Sequence, residues 1–383
     1  MKIKSDNIKF DFDDIFIVPS IKTDIKSRYN NVDPYVFCPF SNRHGMLPLF
    51  TAPMDTVVDF SNKHIFTRNK INVCLPRTVS LEEVYRYNYR GLFTFDDHFF
   101  SCGLEEFENI YLNDSFKGRK FHPQFVLIDV ANGHMEDVVE ISKRVKSKYM
   151  SAVTIMAGNI ANPEAYRWYA ESEAINYVRL GIGNGSGCLT TKKTGIGYPK
   201  ASLIKESYEI KKEIIDKLHK DYLNKDKQLL NYKLHNLTKI VADGGMQDDA
   251  DIVKALALGA DFVMIGGIFN RFLESAAPTT LYGIKLNKRI ATWAFRRGYP
   301  VKKLFYGMST KIAQKKMGKR ELKTSEGVIR IKPVEWEMHK WVENFEHFLR
   351  SNMSYCRAHN LVQFRENSES VLITENAYNR MNK

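Results

Sequence analysis

The feature that most constrains this chain is a repeated alternation between two hydrophobic rhythms. Short apolar runs occur at LPLFTAPM (47–54), INVCLPR (71–77), GLFTF (91–95), FVLIDV (125–130), VTIMAGN (153–159), YVRLGIG (177–183), KIVADGG (239–245) and FVMIGG (262–267). Their length and β-branched or aromatic content predict strands. Amphipathic segments lie between several of them: LEEVYRY after Ser80, EDVVEISKRVKSKY after Gly133, EAYRWYAES after Pro163 and DDADIVKALALG after Gln247. Ser80-Leu-Glu-Glu is a capping box, so a helix is expected to start there. Strand and helix alternating eight times predict an α/β protein of the (β/α)8 barrel type. The alternative is an open doubly wound sheet, but no GxGxxG follows the first strand. The strand ends instead carry Asp129, Asn159, Gly183, Asp243 and Gly267. In a barrel the loops at those ends form the active face.

The expected organisation is one barrel domain over residues 1–383, with a charged helical excursion at 203–237, a basic insertion at 275–303 and a loose tail, YNRMNK. Hydrophobic residues make up 44% of the chain, enough for a buried core. The apolar runs are far too short for a membrane span, and the N-terminus has no apolar signal region. Five cysteines, an odd count without a CxxC pair, give no disulfide framework or zinc site. A reducing, cytoplasmic setting is expected, with no membrane partner. The net charge of +13 reflects a lysine-rich solvated surface or attraction of anionic ligands such as nucleotides. No helix-turn-helix, zinc-finger or RNP pattern is present, so no nucleic-acid partner is expected.

The stretch GIGNGSGCLTTKKTGIGYP (181–199) puts Cys188 among glycines and threonines. Glycines let backbone N–H groups approach a ligand, and local amide dipoles favour a thiolate. Cys188 is therefore either a nucleophile or a packed loop thiol, with Thr190 and Thr191 as nearby hydroxyls. ADGG (242–245) and IGG (265–267) end consecutive strands and form either tight turns or a phosphate site. Ser186 and Ser309 could add hydroxyl donors, and Asp243 could accept from ribose hydroxyls. In LIDVANGH (127–134), Asp129 caps the Asn-Gly turn or faces a polar cofactor. In TAPMDT (51–56), Asp55 caps a helix or sits under the active face. Glu326, in KTSEGVIRI (323–331), is a solvated carboxylate or belongs to a loop over the barrel mouth.

Taken together, from KFDFDDIFIVPS (9–20) to SNMSYCRAHNLVQF (351–364), these segments resemble the family of IMP dehydrogenases and GMP reductases. GSGCLTT, ADGG and the later glycine pair are specific in this order. The resemblance implies a (β/α)8 barrel whose cysteine attacks C2 of a purine nucleotide, giving a thioimidate-type adduct. LIDVANGH, TIMAGN, KKTGIGYP, FVMIGG, KLFYGMS and SEG (325–327) resemble the reductase branch. The interval from YGMS to SEG is short and lacks the Arg-Tyr pair of a dehydrogenase flap. The resemblance therefore implies reductive deamination of GMP to IMP and ammonia with NADPH. IMP dehydrogenation to XMP with NAD, and a nucleotide-binding barrel with weakened catalysis, are the alternatives.

By the same resemblance Cys188 is the nucleophile, and Thr190 with Glu326 protonates the departing ammonia. Ser186, Gly244, Gly245, Gly266, Gly267 and the backbone of Tyr306, Gly307, Met308 and Ser309 hold phosphate and purine, with Asp243 on the ribose. Asp129, Ala131, Asn132, Gly133 and Ser101 face the cofactor. Potassium or another monovalent cation is implied at Gly181, Gly183 and Cys188, and a homotetramer as the assembly. The chain departs from the reductase pattern at Pro53, at Pro76-Arg77 in place of His-Lys, at SCGL (101–104) and at Leu189. Arg77 takes the place of a catalytic lysine, where a guanidinium holds charge but does not shuttle a proton.

Overall fold

The computed structural model describes residues 8–37, 39–40, 44–89, 97–113, 122–185, 189–317 and 327–381. Its centre is a seven-stranded parallel sheet. The strands are Leu49–Thr51, Phe100–Cys102, Phe125–Asp129, Thr154–Ile160, Tyr177–Leu180, Lys239–Asp243 and Phe262–Ile265. From Phe100–Cys102 to Phe262–Ile265 they pair in chain order, and Phe262–Ile265 then pairs with Leu49–Thr51. Between the two edge strands runs the segment 72–75. It makes parallel bridges from Asn72 to Phe50 and from Cys74 to Phe99. Asn72 N–H donates to Leu49 O at 3.0 Å, and Leu75 N–H donates to Phe99 O at 2.9 Å.

Alternation along the strands separates two cores. Outward residues such as Val126, Ile128, Val178, Leu180, Ile240 and Val263 pack under the helices. Inward residues start with an aromatic layer. Phe50, Phe99, Phe125, Tyr177 and Phe262 meet edge-on or tilted, with centroids 4.9–6.1 Å apart in the pairs Phe50–Phe262 and Phe50–Tyr177. Edge-on contact suits the ring quadrupoles. One layer higher come Leu127, Met156, Val241 and Met264. The next inward residues, at the C-terminal strand ends, are Asp129, Arg179 and Asp243. The core thus turns from aromatic to ionic along a single axis.

The helices largely follow the sequence pattern. Ser80 caps reciprocally with Glu83 at the start of Leu81–Tyr89: Ser80 N–H donates to Glu83 Oε2 at 2.9 Å and Glu83 N–H to Ser80 Oγ at 3.2 Å. Glu136–Tyr149, Pro163–Glu171 and Asp249–Ala257 are helical as the periodicity predicts. The excursion folds as two helices, Lys200–Tyr222 and Lys227–Asn236.

Three expectations need correction. The expected strand GLFTF (91–95) lies outside the described residues, and the strand that pairs with Phe125–Asp129 is Phe100–Cys102. Ser101, expected to follow a strand in the cofactor loop, therefore lies inside one. The 275–303 insertion is more than a connection. Thr279–Leu281 and Ile284–Leu286 form a hairpin, followed by the helix Lys288–Arg296 and the strand Lys302–Tyr306. These strands and Ile329–Pro333 make a four-stranded antiparallel sheet. The tail is helical over Glu375–Met381. Among the described residues no helix is long and apolar enough to cross a membrane.

A buried ion pair fastens the excursion to the sheet. Lys211 Nζ lies 2.6 Å from Asp261 Oδ2, which also accepts Ile240 N–H at 2.7 Å. Burial opposes the Asp261 charge, but Lys211, Arg365 and Lys239 outweigh it and pull the carboxyl down to about 2. The native state therefore holds this proton more weakly than the unfolded chain. Stability from Asp261 is complete above the ordinary aspartate range and is lost as pH falls towards about 2. In an Asp261→Asn variant, urea titrations at falling pH should show a shallower loss of stability over that window.

Candidate active site at the strand ends

A cavity of about 260 Å3 opens at the C-terminal ends of the parallel strands. Its walls come from segments far apart in the chain: Ala52–Met54, Asp129, Gly181–Gly183, Gly185, Thr190, Asp243–Met246, Gly266–Gly267 and Gly307–Ser309. Glycines dominate because the chain must turn sharply after each strand. Gly244 and Gly245 have φ of +69° and +92°, where only glycine is unstrained. Gly244 N–H donates to Met264 O at 3.3 Å, and the turn that follows brings the Gly245 backbone to the cavity wall, the kind of surface that cradles phosphate.

The floor is an ionic cluster centred on Arg179, the one member the sequence pattern does not single out. Arg179 lies between two carboxylates, 2.5 Å from Asp129 Oδ1 and 2.7 Å from Asp243 Oδ2. Asn159 Nδ2 also donates to Asp243 Oδ2, at 2.7 Å, and to Gly181 O at 2.8 Å. Burial opposes the arginine charge, but Asp243 and Asp129 outweigh it and raise its pKa further. The planar guanidinium reaches both acids at once, presenting separate N–H donors to each. These bonds use Asp129 Oδ1 and Asp243 Oδ2. The second oxygen of each acid remains to accept from a ligand. A signal for Arg179 does exist in the sequence: it follows Tyr177 by two residues, so it shares the inward face, and a charge there needs a partner.

Of the expected substrate residues, Asp243, Gly244, Gly245, Gly266, Gly267, Gly307, Met308 and Ser309 all line the cavity, as does Thr190. Tyr306 does not. Its hydroxyl donates to Asp55 Oδ2 at 2.7 Å, and Lys316 Nζ reaches the same oxygen at 2.7 Å. Phe305, its neighbour, takes the lining position. Asp55 therefore fastens Tyr306 beneath the active face. Ser186, Cys188 and Glu326 lie outside the described residues, but Gly185 and Thr190, on either side of the cysteine, line the same cavity.

Of the expected cofactor residues, Asp129 and Ala131 line the cavity. With Oδ1 taken by Arg179, Asp129 keeps one carboxylate oxygen as an acceptor for a polar ligand. Asn132 instead holds the turn, its Oδ1 accepting His134 N–H at 3.1 Å. Gly133 packs on the neighbouring strand, where a Cβ would come within 2.7 Å of Asn159 O. Ser101 is buried at 1% exposure and does not line the cavity. Arg77 does not line the cavity. Its Nη1 donates to Asp129 O at 3.2 Å, and its Nη2 lies 2.7 Å from where a Cβ on Gly103 would stand. The SCGL glycine thus leaves room for the guanidinium.

At Gly181 a further cation would meet a positive charge: the carbonyl accepts from Asn159 at 2.8 Å, and the Lys200 ammonium packs against the Cα side, 1.7 Å from an ideal Cβ there. Gly183 is occupied on its Cα side by Thr191 Oγ1, 1.8 Å from an ideal Cβ. The three described cysteines, Cys74, Cys102 and Cys356, are buried, and burial pushes their thiols up in pKa.

Comparison with known proteins places this geometry in context. The sequence model of the IMP dehydrogenase / GMP reductase domain matches residues 120–382. The chain is 29% identical to the GMP reductase of Caenorhabditis elegans over 96% of its length and 92% of the relative. It is 30% identical to GMP reductase 2 of Bos taurus, covering 96% of this chain and 95% of that one. Against GMP reductase 1 of Homo sapiens the identity is 28%, with 96% of each chain covered.

Proposed function

Since the chain belongs to the IMP dehydrogenase / GMP reductase family, we propose that it is a GMP reductase, converting GMP to IMP and ammonia with NADPH. The observation that carries this reading is full-length similarity to proteins bearing that name. The cavity supports it by gathering glycine turns, an acid for ribose and the ends of the cysteine loop at one place.

In this reading the whole chain is one (β/α)8 barrel domain, closed by segment 72–75 as the eighth stave, and the active species is a homotetramer. The N–H groups of Gly245, Gly266 and Gly267 bind the phosphate, with Gly244 forming the turn that presents them, aided by Ser186 and the Gly307–Ser309 backbone. Asp243 accepts from the ribose hydroxyls through Oδ1, because Arg179 and Asn159 hold Oδ2. Cys188 Sγ adds to C2 of the purine. The 2-amino group then leaves as ammonia, protonated through Thr190 and Glu326, since an amide anion is too basic to depart. NADPH, when bound, supplies the hydride that reaches C2, after which the C2–S bond breaks and the thiolate returns. Asp129, held by Arg179, and Ala131 would receive its nicotinamide end.

Mixing the purified protein with GMP and NADPH tests this directly. NADPH absorbance should fall only when GMP is present, and IMP should accumulate. Reduction of NAD by IMP would assign the dehydrogenase reaction instead. GMP binding with no turnover in either direction would leave only a nucleotide-binding barrel.

A further inference from the structure

Lys200 is buried at 1% exposure and is the first residue of the helix Lys200–Tyr222. Both facts disfavour a cation. Burial removes its water, and the helix N-terminus carries partial positive charge. Its ammonium nonetheless has a defined target. Nζ donates to Leu180 O at 2.6 Å and to Asp243 O at 2.5 Å. These carbonyls belong to the adjacent parallel strands Tyr177–Leu180 and Lys239–Asp243, at the points where each stops. Beyond Leu180 runs Gly181–Gly185, and beyond Asp243 lies the Gly244–Gly245 turn. Both line the cavity. Asp11 contributes too: its Oδ2 accepts the Lys200 backbone N–H at 3.1 Å, anchoring the helix start.

Two carbonyl oxygens converging on one positive centre is how a protein holds a hard cation. We propose that Lys200 is a tethered cation that pins the two strand ends, so that this chain orders the start of its cysteine loop without a bound monovalent metal ion. Lys200 is thus a positioning residue, acting through Gly181–Gly185 and Asp243. The arrangement also disfavours a metal ion at Gly181: a second positive charge beside the ammonium would be repelled. A side chain, unlike a free ion, is always present, so no ion has to be recruited before the loop is ordered.

The test reads loop order rather than turnover, so it is independent of the reductase assignment. Hydrogen exchange of peptides spanning 177–185 is measured in potassium chloride and in choline chloride of equal ionic strength. Wild-type exchange should be the same in both. A Lys200→Met variant should exchange about ten-fold or more faster in choline and recover protection in potassium or ammonium chloride, because the bare carbonyls then accept a free cation. Potassium-dependent protection of the wild type overturns the proposal. So does a Lys200→Met variant that exchanges like the wild type in choline. Should the variant fail to fold, the wild-type comparison alone decides.

Discussion

An Arg179→Met variant should lose about 3–5 kcal/mol of stability, the cost of stranding buried charge by removing its partner. It should also lose most of its turnover. Methionine fills much of the same volume, so the loss comes from charge and not from a cavity. Asp129 and Asp243 would then face each other across the floor with no cation between them, where Arg179 now holds both within 2.7 Å. Each acid would rotate or take up a proton. Either change spoils the acceptor proposed for ribose and the one proposed for the nicotinamide end. Arg179→Lys should fall between, because an ammonium keeps the charge but reaches only one carboxylate well. Urea titration measures the stability loss, and kcat/KM for GMP measures the functional one. Adding Asp129→Asn to Arg179→Met should recover part of the stability, since one unpaired charge is gone. If Arg179→Met is as stable as wild type, the cluster does not carry the stability assigned to it.

Cys188→Ala should reduce GMP turnover by about 10³-fold or more while leaving GMP affinity within a few-fold, as expected when a covalent nucleophile is removed and its binding site kept. The split between kcat and binding is the informative part. In the proposed mechanism phosphate and ribose contacts come from glycine turns and Asp243, which the substitution does not touch, and the sulfur alone forms the bond to C2. Trapped adduct should appear by intact-protein mass spectrometry in the wild type at early times and never in the variant. Retained turnover in Cys188→Ala would remove the covalent route, and with it the role proposed for Thr190 and Glu326.

Much of the architecture was legible from periodicity. The strands at 125–130, 153–159, 177–183, 239–245 and 262–267 stood out because buried parallel strands are short continuous apolar runs ending in glycine or acid. The third stave was misplaced, since GLFTF and FFSC look alike to a hydropathy pattern and only pairing with Phe125–Asp129 separates them. The insertion at 275–303 gave no alternation long enough to reveal an antiparallel sheet whose partner strand lies at Ile329–Pro333. The motif YGMS does not show which way its side chains point: the strand pleat turns the Tyr306 ring towards Asp55 and gives the cavity wall to Phe305.

The sequence alone determined which residues share a face and where the chain must turn, because both follow from local geometry: a period of two along a strand, and glycine where φ is positive. It therefore identified Asp129, Asp243 and the glycine pairs as strand-end residues. Which of them meet follows from the way the strands pair across the sheet. Arg179 joins acids 50 and 64 positions away, and Asn159 reaches one 84 positions away. Lys200 crosses from a helix start to two strand ends. Such contacts depend on the order in which strands pair, and that order is a property of the whole sheet, not of any segment in it.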